Sequence, residues 1–199
     1  MEETIVFIDG GFLSKLSKHL GSGKYINFDL VNFAKSLGKK EQLFVKKTFY
    51  YTAPPFQASP PTEDQIIRKK GHDRFVNRFR NNTFFTIREG RCQRLIDKNG
   101  KEEYNQKGVD ALAIMDLSSL PITFNNIKKI ILVACDTDFC PVIEHLQKLG
   151  VEVILFTYYE RKRESKFSTS HHLIDCCKQI RYLTKNDFDS CPLNKNGAY

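Results

Sequence analysis

The chain has 199 residues, the length of a single domain, and its 41% hydrophobic and 27% charged residues argue against wholesale disorder. No apolar run approaches the roughly 18–20 residues that a membrane span needs. Lys and Arg exceed Asp and Glu by 31 to 23, and this net charge of +8 favours a polyanionic partner.

The start of the chain and its cysteines predict a cytoplasmic protein. The acidic start Met1–Thr4 precedes only a short apolar run, whereas a signal peptide has a basic start and a longer apolar stretch. The six cysteines show no CxxC spacing, and we expect no disulfide framework in a chain of this size without an export signal.

Predicted strands and helices alternate along the first half of the chain. They are a buried strand at 5–8, a helix at 12–20, a helix at about 29–37, a strand at 43–51, and a helix from a capping box at 62–65 to about residue 79. The four prolines at positions 54, 55, 60 and 61 predict a loop before the helix that starts at residue 62, because proline lacks a backbone donor and fixes φ.

The alternation continues to the C-terminus. The predicted elements are a strand at 84–88, a small hairpin of 91–96 and 101–104, a helix at 108–117, a buried strand at 128–135, a helix at 139–149, a strand at 151–157, a helix near 170–177 and a last strand at 179–183. We expect one domain over residues 1–185 and a loose polar tail over 186–199. The pattern predicts an α/β fold with a mainly parallel sheet, in which ligands bind at the carboxyl ends of strands.

Three acidic residues follow two of the predicted buried strands. Asp9 ends the first strand, and Asp136 and Asp138 follow the strand at 128–135. Each has a purely structural alternative, since Asp138 or Asp136 can cap a helix and Asp9 can stabilise a tight turn. If the three converge, their repulsion requires a cation, and carboxylate oxygens suit Mg²⁺ or Mn²⁺.

A further acid lies in the apolar helix predicted at 108–117. Asp110 and Asp116 are six residues apart, about 240° around a helix, so the two cannot share a face. We expect one to reach the site and the other to make a buried structural contact. Asp110 is favoured for the site because it lies nearer the helix start, with Asp116 as the secondary candidate.

Other kinds of site fit the sequence less well. The first strand ends in Asp9 without a GxGxxG pattern, and a carboxylate there would repel a dinucleotide pyrophosphate. The chain has no GxSxG elbow and no Walker A loop. The Asp136-Thr137-Asp138 pattern also occurs in haloacid-dehalogenase-type phosphatases, but no paired-acid motif follows it here.

Several blocks in order carry a resemblance to a known family. They are residues 7–12, 50–56, 88–91, 107–110 with 116–117, and 135–143. Through these blocks the chain, from about residue 4 to 183, resembles the NYN family of PIN-like nucleases, in particular its bacterial LabA-like branch. Phe12 stands where many members have Asn, and Ala134-Cys135 where Ser-Gly is usual.

The resemblance implies a fold, a site and an activity. The fold would be a three-layer Rossmann-like PIN domain with strand order 3-2-1-4-5, which places Asp9 and Asp136 on adjacent strands. The activity would be that of a Mg²⁺- or Mn²⁺-dependent ribonuclease. By motif position, the acidic set is Asp9, Asp110, Asp136 and Asp138.

The functional hypothesis is hydrolysis of RNA, preferably single-stranded, by a metal-activated water. Thr137 would bind such a water or cap the following helix. Basic residues would bind the phosphates, and they are Arg68, Lys69, Lys70, Arg74, Arg78, Arg88, Arg91, Lys107, Arg161 and Arg163. Two alternatives stay open: a non-catalytic nucleic-acid-binding module, and a regulatory protein in which a homodimer interface matters most.

Overall fold

A six-stranded sheet forms the centre of the computed structural model, which describes residues 1–100, 102–160, 167 and 171–193. The strands in chain order are β1 (Glu2–Asp9), β2 (Leu43–Thr52), β3 (Phe85–Glu89), β4 (Arg91–Ile96), β5 (Glu102–Lys107), β6 (Lys129–Val133), β7 (Glu152–Thr157) and β8 (Gln179–Tyr182). The helices are α1 (Gly10–Leu20), α2 (Leu30–Lys40), α3 (Glu63–Phe79), α4 (Val109–Thr123), α5 (Cys140–Lys148), α6 (His171–Cys176) and α7 (Lys185–Asp189).

The order of the strands in the sheet is β3-β2-β1-β6-β7-β8, and every neighbouring pair is parallel. Counted by the strands of this sheet alone, the order is 3-2-1-4-5-6. The predicted order 3-2-1-4-5 is therefore confirmed, with one further strand at the edge. β4 and β5 form a separate antiparallel hairpin, as the sequence predicts.

Helices cover both faces of the sheet and give the three-layer architecture. Successive residues of β1 point to opposite faces, so Ile5 and Phe7 pack with α4, α5 and α6, whereas Val6 and Ile8 pack with α1, α2, α3 and α7. Burial on both faces explains why the central strands read as continuous apolar runs in the sequence. The predicted α/β class is confirmed.

α4 and β5 are among the elements that extend beyond their predicted bounds. α4 continues to Thr123 rather than ending at residue 117, because Leu120 is fully buried in the core and holds the last turn even with Pro121 inside it. β5 continues to Lys107 rather than ending at residue 104, because Arg91 pairs with Lys107 at the base of the hairpin. The extension of β5 places its last residues beside the candidate site.

Residues 186–193 do not form the loose tail that the sequence predicts, and residues 194–199 lie outside the described residues. Lys185–Asp189 form α7, in which Phe188 is fully buried and packs against Phe28 and Phe33. The buried carboxylate of Asp187 is an ion-pair partner of Lys40 and accepts a hydrogen bond from the backbone of Thr184. Burial of the Phe188 side chain stabilises the packing of this segment against the domain, although the neighbouring residues are polar.

The six cysteines are free thiols. Among the described residues, no helix combines the length and the apolar character needed to cross a membrane.

Candidate active site

A cavity of about 750 Å³ opens at the carboxyl edge of the sheet, and three of the four predicted acidic residues line it. Asp9 comes from the end of β1, Asp136 follows the neighbouring strand β6, and Asp110 lies in the first turn of α4. β1 and β6 are adjacent and parallel, so residues that follow their last paired positions meet at one edge. The fold thus brings three distant acids to a common space.

Asp9 connects β1 to α1 and caps the helix. Its Oδ1 accepts hydrogen bonds from the backbone N–H groups of Gly11 at 2.8 Å and Phe12 at 3.1 Å. These bonds satisfy two of the free donors at the helix start and fix the carboxylate against the turn. The structural role considered for Asp9 is present, and it leaves the second oxygen, Oδ2, available to a ligand.

Asp136 caps the short 3-10 turn Thr137–Phe139 that precedes α5. Its Oδ1 accepts a hydrogen bond of 3.0 Å from the backbone N–H of Asp138. The capping role considered for Asp138 and Thr137 therefore belongs to the Asp136 side chain. Asp138 is exposed and is not among the described residues that line the cavity.

Asp110 and Asp116 have separate roles, as their angular separation on the helix predicts. Asp110 faces the cavity. The Asp116 carboxylate accepts a hydrogen bond of 2.9 Å from the Tyr51 hydroxyl and one of 3.1 Å from the Arg88 guanidinium. Asp116 and Arg88 form a partly buried ion pair that ties α4 to the sheet, so both have a structural role away from the cavity lining.

The electrostatics of the cavity disfavour ionised carboxylates. Burial raises the pKa of Asp9 to about 6, and the charge of Asp110 acts in the same direction, while the N–H bonds from the backbone lower it. Burial also raises the pKa of Asp110, followed by the charges of Asp136 and Asp138. A positive charge added to this cavity would relieve the repulsion.

A divalent cation is the ligand that this donor set fits by its chemistry. Asp9, Asp110 and Asp136 offer only hard carboxylate oxygens, and burial raises the pKa of Asp9 and of Asp110. Within the described ranges, no three His, Cys, Asp or Glu side chains stand close enough to hold an ion together. Mg²⁺ does not need three direct protein ligands, because proteins commonly bind it through one or two carboxylates and several waters.

Cys135, next to Asp136, lies in surroundings that disfavour the reactive thiolate form of its side chain. Burial raises the pKa of its thiol to about 12, and the negative charge of Asp9 adds to the effect. A thiol with such a pKa is protonated at neutral pH, whereas the thiolate is the reactive form.

Sequence reasoning missed several residues of the cavity. Lys15 lines it one turn after Gly11 on α1, and its charge lowers the pKa of Asp9 and of Asp110. His72 lines the opposite side, where its Nε2 lies 2.7 Å from the Glu89 carboxylate. For Lys15 the helical spacing from Gly11 was an available signal, whereas His72 comes from α3 and no local pattern relates it to the acids.

The predicted basic residues are divided between the cavity and the surface. Lys107 lines the cavity, and Arg91 is its exposed partner at the base of the hairpin. The predicted residues of α3 lie away from the lining and are exposed or half-buried: Arg68, Lys69, Lys70, Arg74 and Arg78. Arg68 pairs with Asp64, and Lys69 with Asp73. Arg161 and Arg163 lie outside the described residues.

Gly10 lies in the wall of the cavity, where the surrounding atoms leave no room for a side chain. A Cβ atom at this position would lie 2.6 Å from the Tyr50 ring and from the Tyr51 carbonyl oxygen, closer than real contacts allow. We expect Gly10→Ala to lower the free energy of unfolding by about 2 kcal/mol in a denaturant titration. The matched control is Gly71→Ala in α3, where a Cβ meets no atom within 4 Å, and we expect it to stabilise the helix by about 0.5–1 kcal/mol. Equal effects of the two substitutions would contradict this packing argument.

Comparisons with known proteins agree with the fold. The NYN domain family model matches residues 3–184. A crystal structure of a protein of unknown function from Vibrio parahaemolyticus covers 94% of this chain and 95% of its own, with a TM-score of 0.52 and 18% identity. At that identity the similarity shows a common fold. No curated protein matches the chain.

Proposed function

Since this chain belongs to the NYN domain family of the PIN-like superfamily, we propose that it is a Mg²⁺- or Mn²⁺-dependent endoribonuclease that hydrolyses phosphodiester bonds of single-stranded RNA. The family is nuclease-like, which supports a nucleic-acid substrate. The observation that carries the proposal is the meeting of Asp9, Asp110 and Asp136 in one cavity. Assignment to the LabA-like branch, a single-stranded substrate and RNA rather than DNA rest on the resemblance of the sequence blocks.

One or two of Asp9, Asp110 and Asp136 would bind the cation directly, and the remainder would bind it through its waters. Bound there, a divalent ion supplies a water of lowered pKa and a positive charge against the phosphate. Asp9 contributes its Oδ2, because the backbone already occupies Oδ1. Asp138, outside the lining, would act on the site through its charge, which reaches Asp110.

Lys15 and Lys107 would position the substrate from two sides of the cavity. Lys15 is an exposed ammonium on α1 beside the carboxylates, where it can contact a non-bridging phosphate oxygen. Lys107 lies on β5 with Arg91 opposite it, which makes the base of the hairpin a positive rim. Contacts of this kind supply affinity and orientation without reading the sequence.

The direct test is cleavage of a labelled RNA by purified protein. We expect single-stranded RNA to be cut with added Mn²⁺ or Mg²⁺, duplex RNA of the same sequence to be cut more slowly, and neither to be cut in EDTA. If RNA is bound but is cut with neither metal, the result contradicts the nuclease hypothesis and supports the alternative of a non-catalytic binding module.

Lys107→Ala is expected to weaken RNA binding uniformly across sequences. Loss of one phosphate contact reduces the slope of log affinity against log salt by about 0.7 for a single strand. The measurement is fluorescence anisotropy of a labelled oligonucleotide at several salt concentrations. The control is Lys148→Ala, an exposed lysine at the end of α5 and so at the opposite edge of the sheet. If both variants keep the wild-type slope, Lys107 makes no phosphate contact.

A further inference from the structure

A groove of about 340 Å³ adjoins the cavity and shares its wall. Ser14, Tyr50 and Phe75 line both spaces. The Tyr50 ring is nearly fully buried, packs edge-on to Phe75 at a centroid distance of 5.6 Å, and stands between the two. A strand that lies with one phosphate against the carboxylates would therefore carry its neighbouring nucleotide to this groove.

The far side of the groove presents an exposed aromatic ring. Tyr25, in the turn after α1, lines the groove and has 60% of its surface exposed to solvent. Tyr25 is one of several exposed aromatic side chains, and unlike the exposed Tyr182 it lines a groove next to the acidic cavity. Aromatic rings exposed beside a basic channel are the platforms on which unpaired bases stack.

Polar and basic groups complete the surroundings that a nucleotide needs. The Lys18 ammonium lies 5.6 Å from the centroid of the Tyr25 ring, and Lys15 lies three residues earlier on the same side of α1. Asn27, exposed in the groove, offers an amide donor and an amide acceptor to the edge of a base. One positive charge therefore lies at the cavity and another beside Tyr25, and both favour a phosphate-bearing ligand over a neutral one.

The size of the groove limits what enters. Its volume lies near the lower end of the roughly 300–1,000 Å³ of small-ligand sites and suits one nucleoside rather than a base pair. A base within a duplex is stacked and paired, so it reaches such a groove only after the cost of unstacking is met.

We propose that this groove binds one unpaired nucleobase of the substrate, next to the cleaved phosphate, with Tyr25 as its stacking platform. The inference deepens the proposed function and rests on it for the identity of the polymer. It gives the preference for single strands a physical basis, since only an unpaired nucleotide offers both faces of its base.

The experiment measures base-dependent binding apart from cleavage. The Asp136→Asn chain in EDTA is titrated with labelled RNA of about six nucleotides, and with a series in which each position in turn lacks its base. With Tyr25 intact in the Asp136→Asn parent, we expect removal of the base at one position of the RNA to weaken binding about ten-fold. Tyr25→Ala is expected to weaken binding of the intact RNA about ten-fold and to make that abasic position cost nothing further, whereas Tyr25→Phe keeps the parent behaviour.

Tyr182→Ala is the matched control. Tyr182 is 53% exposed on the edge strand β8, which β6 and β7 separate from β1. It is expected to bind every oligonucleotide as the parent does. The inference is overturned if Tyr25→Ala binds intact RNA like the parent, or if it weakens the intact and abasic RNAs by the same factor.

The two proposals fail in different ways. If binding depends on the base through Tyr25 but the wild-type chain shows no metal-dependent cutting, the nuclease hypothesis is contradicted and the base site is supported. If the wild-type chain cuts RNA with metal and Tyr25→Ala binds and cuts like the wild type, the base site is contradicted and the nuclease hypothesis is supported.

Discussion

Asp136→Asn is expected to reduce metal-dependent RNA cleavage by about a thousand-fold while binding is retained or strengthened. Asn still accepts the hydrogen bond from the Asp138 N–H that caps the turn, so the backbone keeps its shape. The variant removes a charged oxygen ligand from an exposed position of the cavity and a repulsion toward the phosphate. Single-turnover cleavage and oligonucleotide affinity, measured side by side, separate these two effects.

Asp189→Asn is the control for this substitution. Asp189 is a surface acid of α7 that pairs with Lys185 and lies outside the cavity lining. It is expected to cut RNA at the wild-type rate. Wild-type cleavage by Asp136→Asn itself would remove Asp136 from the site.

Asp9→Asn is expected to stabilise the metal-free protein at neutral pH. The pKa of Asp9 is raised in the folded state from the ordinary 3.8 to about 6, so the folded state binds a proton more tightly than the unfolded state. The contribution of Asp9 to the stability of the wild type is therefore most favourable below about pH 4 and falls by about 3 kcal/mol as the pH rises through the folded-state pKa. Asn keeps the N-cap of α1 but carries no charge, so this dependence disappears.

Thermal unfolding checks this prediction with and without cation. We expect the Tm of Asp9→Asn to exceed that of the wild type by about 5 °C at neutral pH in EDTA. Mg²⁺ or Mn²⁺ should raise the Tm of the wild type and have little effect on the variant, because a ligand stabilises only the state that binds it. A lower Tm for Asp9→Asn in EDTA together with an unchanged cation response would contradict both the electrostatic argument and the metal role.

The control for Asp9→Asn is a second helix-capping aspartate. The Asp29 side chain caps α2 by accepting a hydrogen bond of 2.8 Å from the Asn32 N–H, and it lies outside the cavity lining. Whatever Asp29→Asn does to stability, we expect the full cation-induced rise of Tm to remain. Loss of that rise would show that the cation acts elsewhere than at Asp9.

Together, these substitutions distinguish a site built for a cation from a chance meeting of capping residues. Asp9 and Asp136 are both N-caps, and a cap needs only one carboxylate oxygen. The burial that raises the pKa of Asp9 costs stability that no protein contact of the carboxylate fully offsets. A charged cap at such a cost, where Asn would also cap the helix, supports the proposed cation-binding role of Asp9.

The sequence alone determined the sheet and the edge at which the acids meet. The apolar runs at 5–8 and 130–135 are typical of strands buried on both faces, and parallel strands place their carboxyl ends together, so the positions of Asp9 and Asp136 follow from local pattern. The periodicity of α4 was enough to separate Asp110 from Asp116.

Only the tertiary structure decided which other side chains reach the cavity, and that residues 185–189 pack against the domain. Lys15, His72 and the groove at Tyr25 come from elements whose relative placement depends on packing against the sheet, which no local pattern encodes. The sequence predicts a phosphate contact for Arg88, whereas in the structure Arg88 forms an ion pair with Asp116. α7 looked like a tail because three of its five residues are charged, yet the burial of one phenylalanine holds it in place. Local sequence fixes backbone periodicity, whereas side-chain partners are set by contacts between segments far apart in the chain.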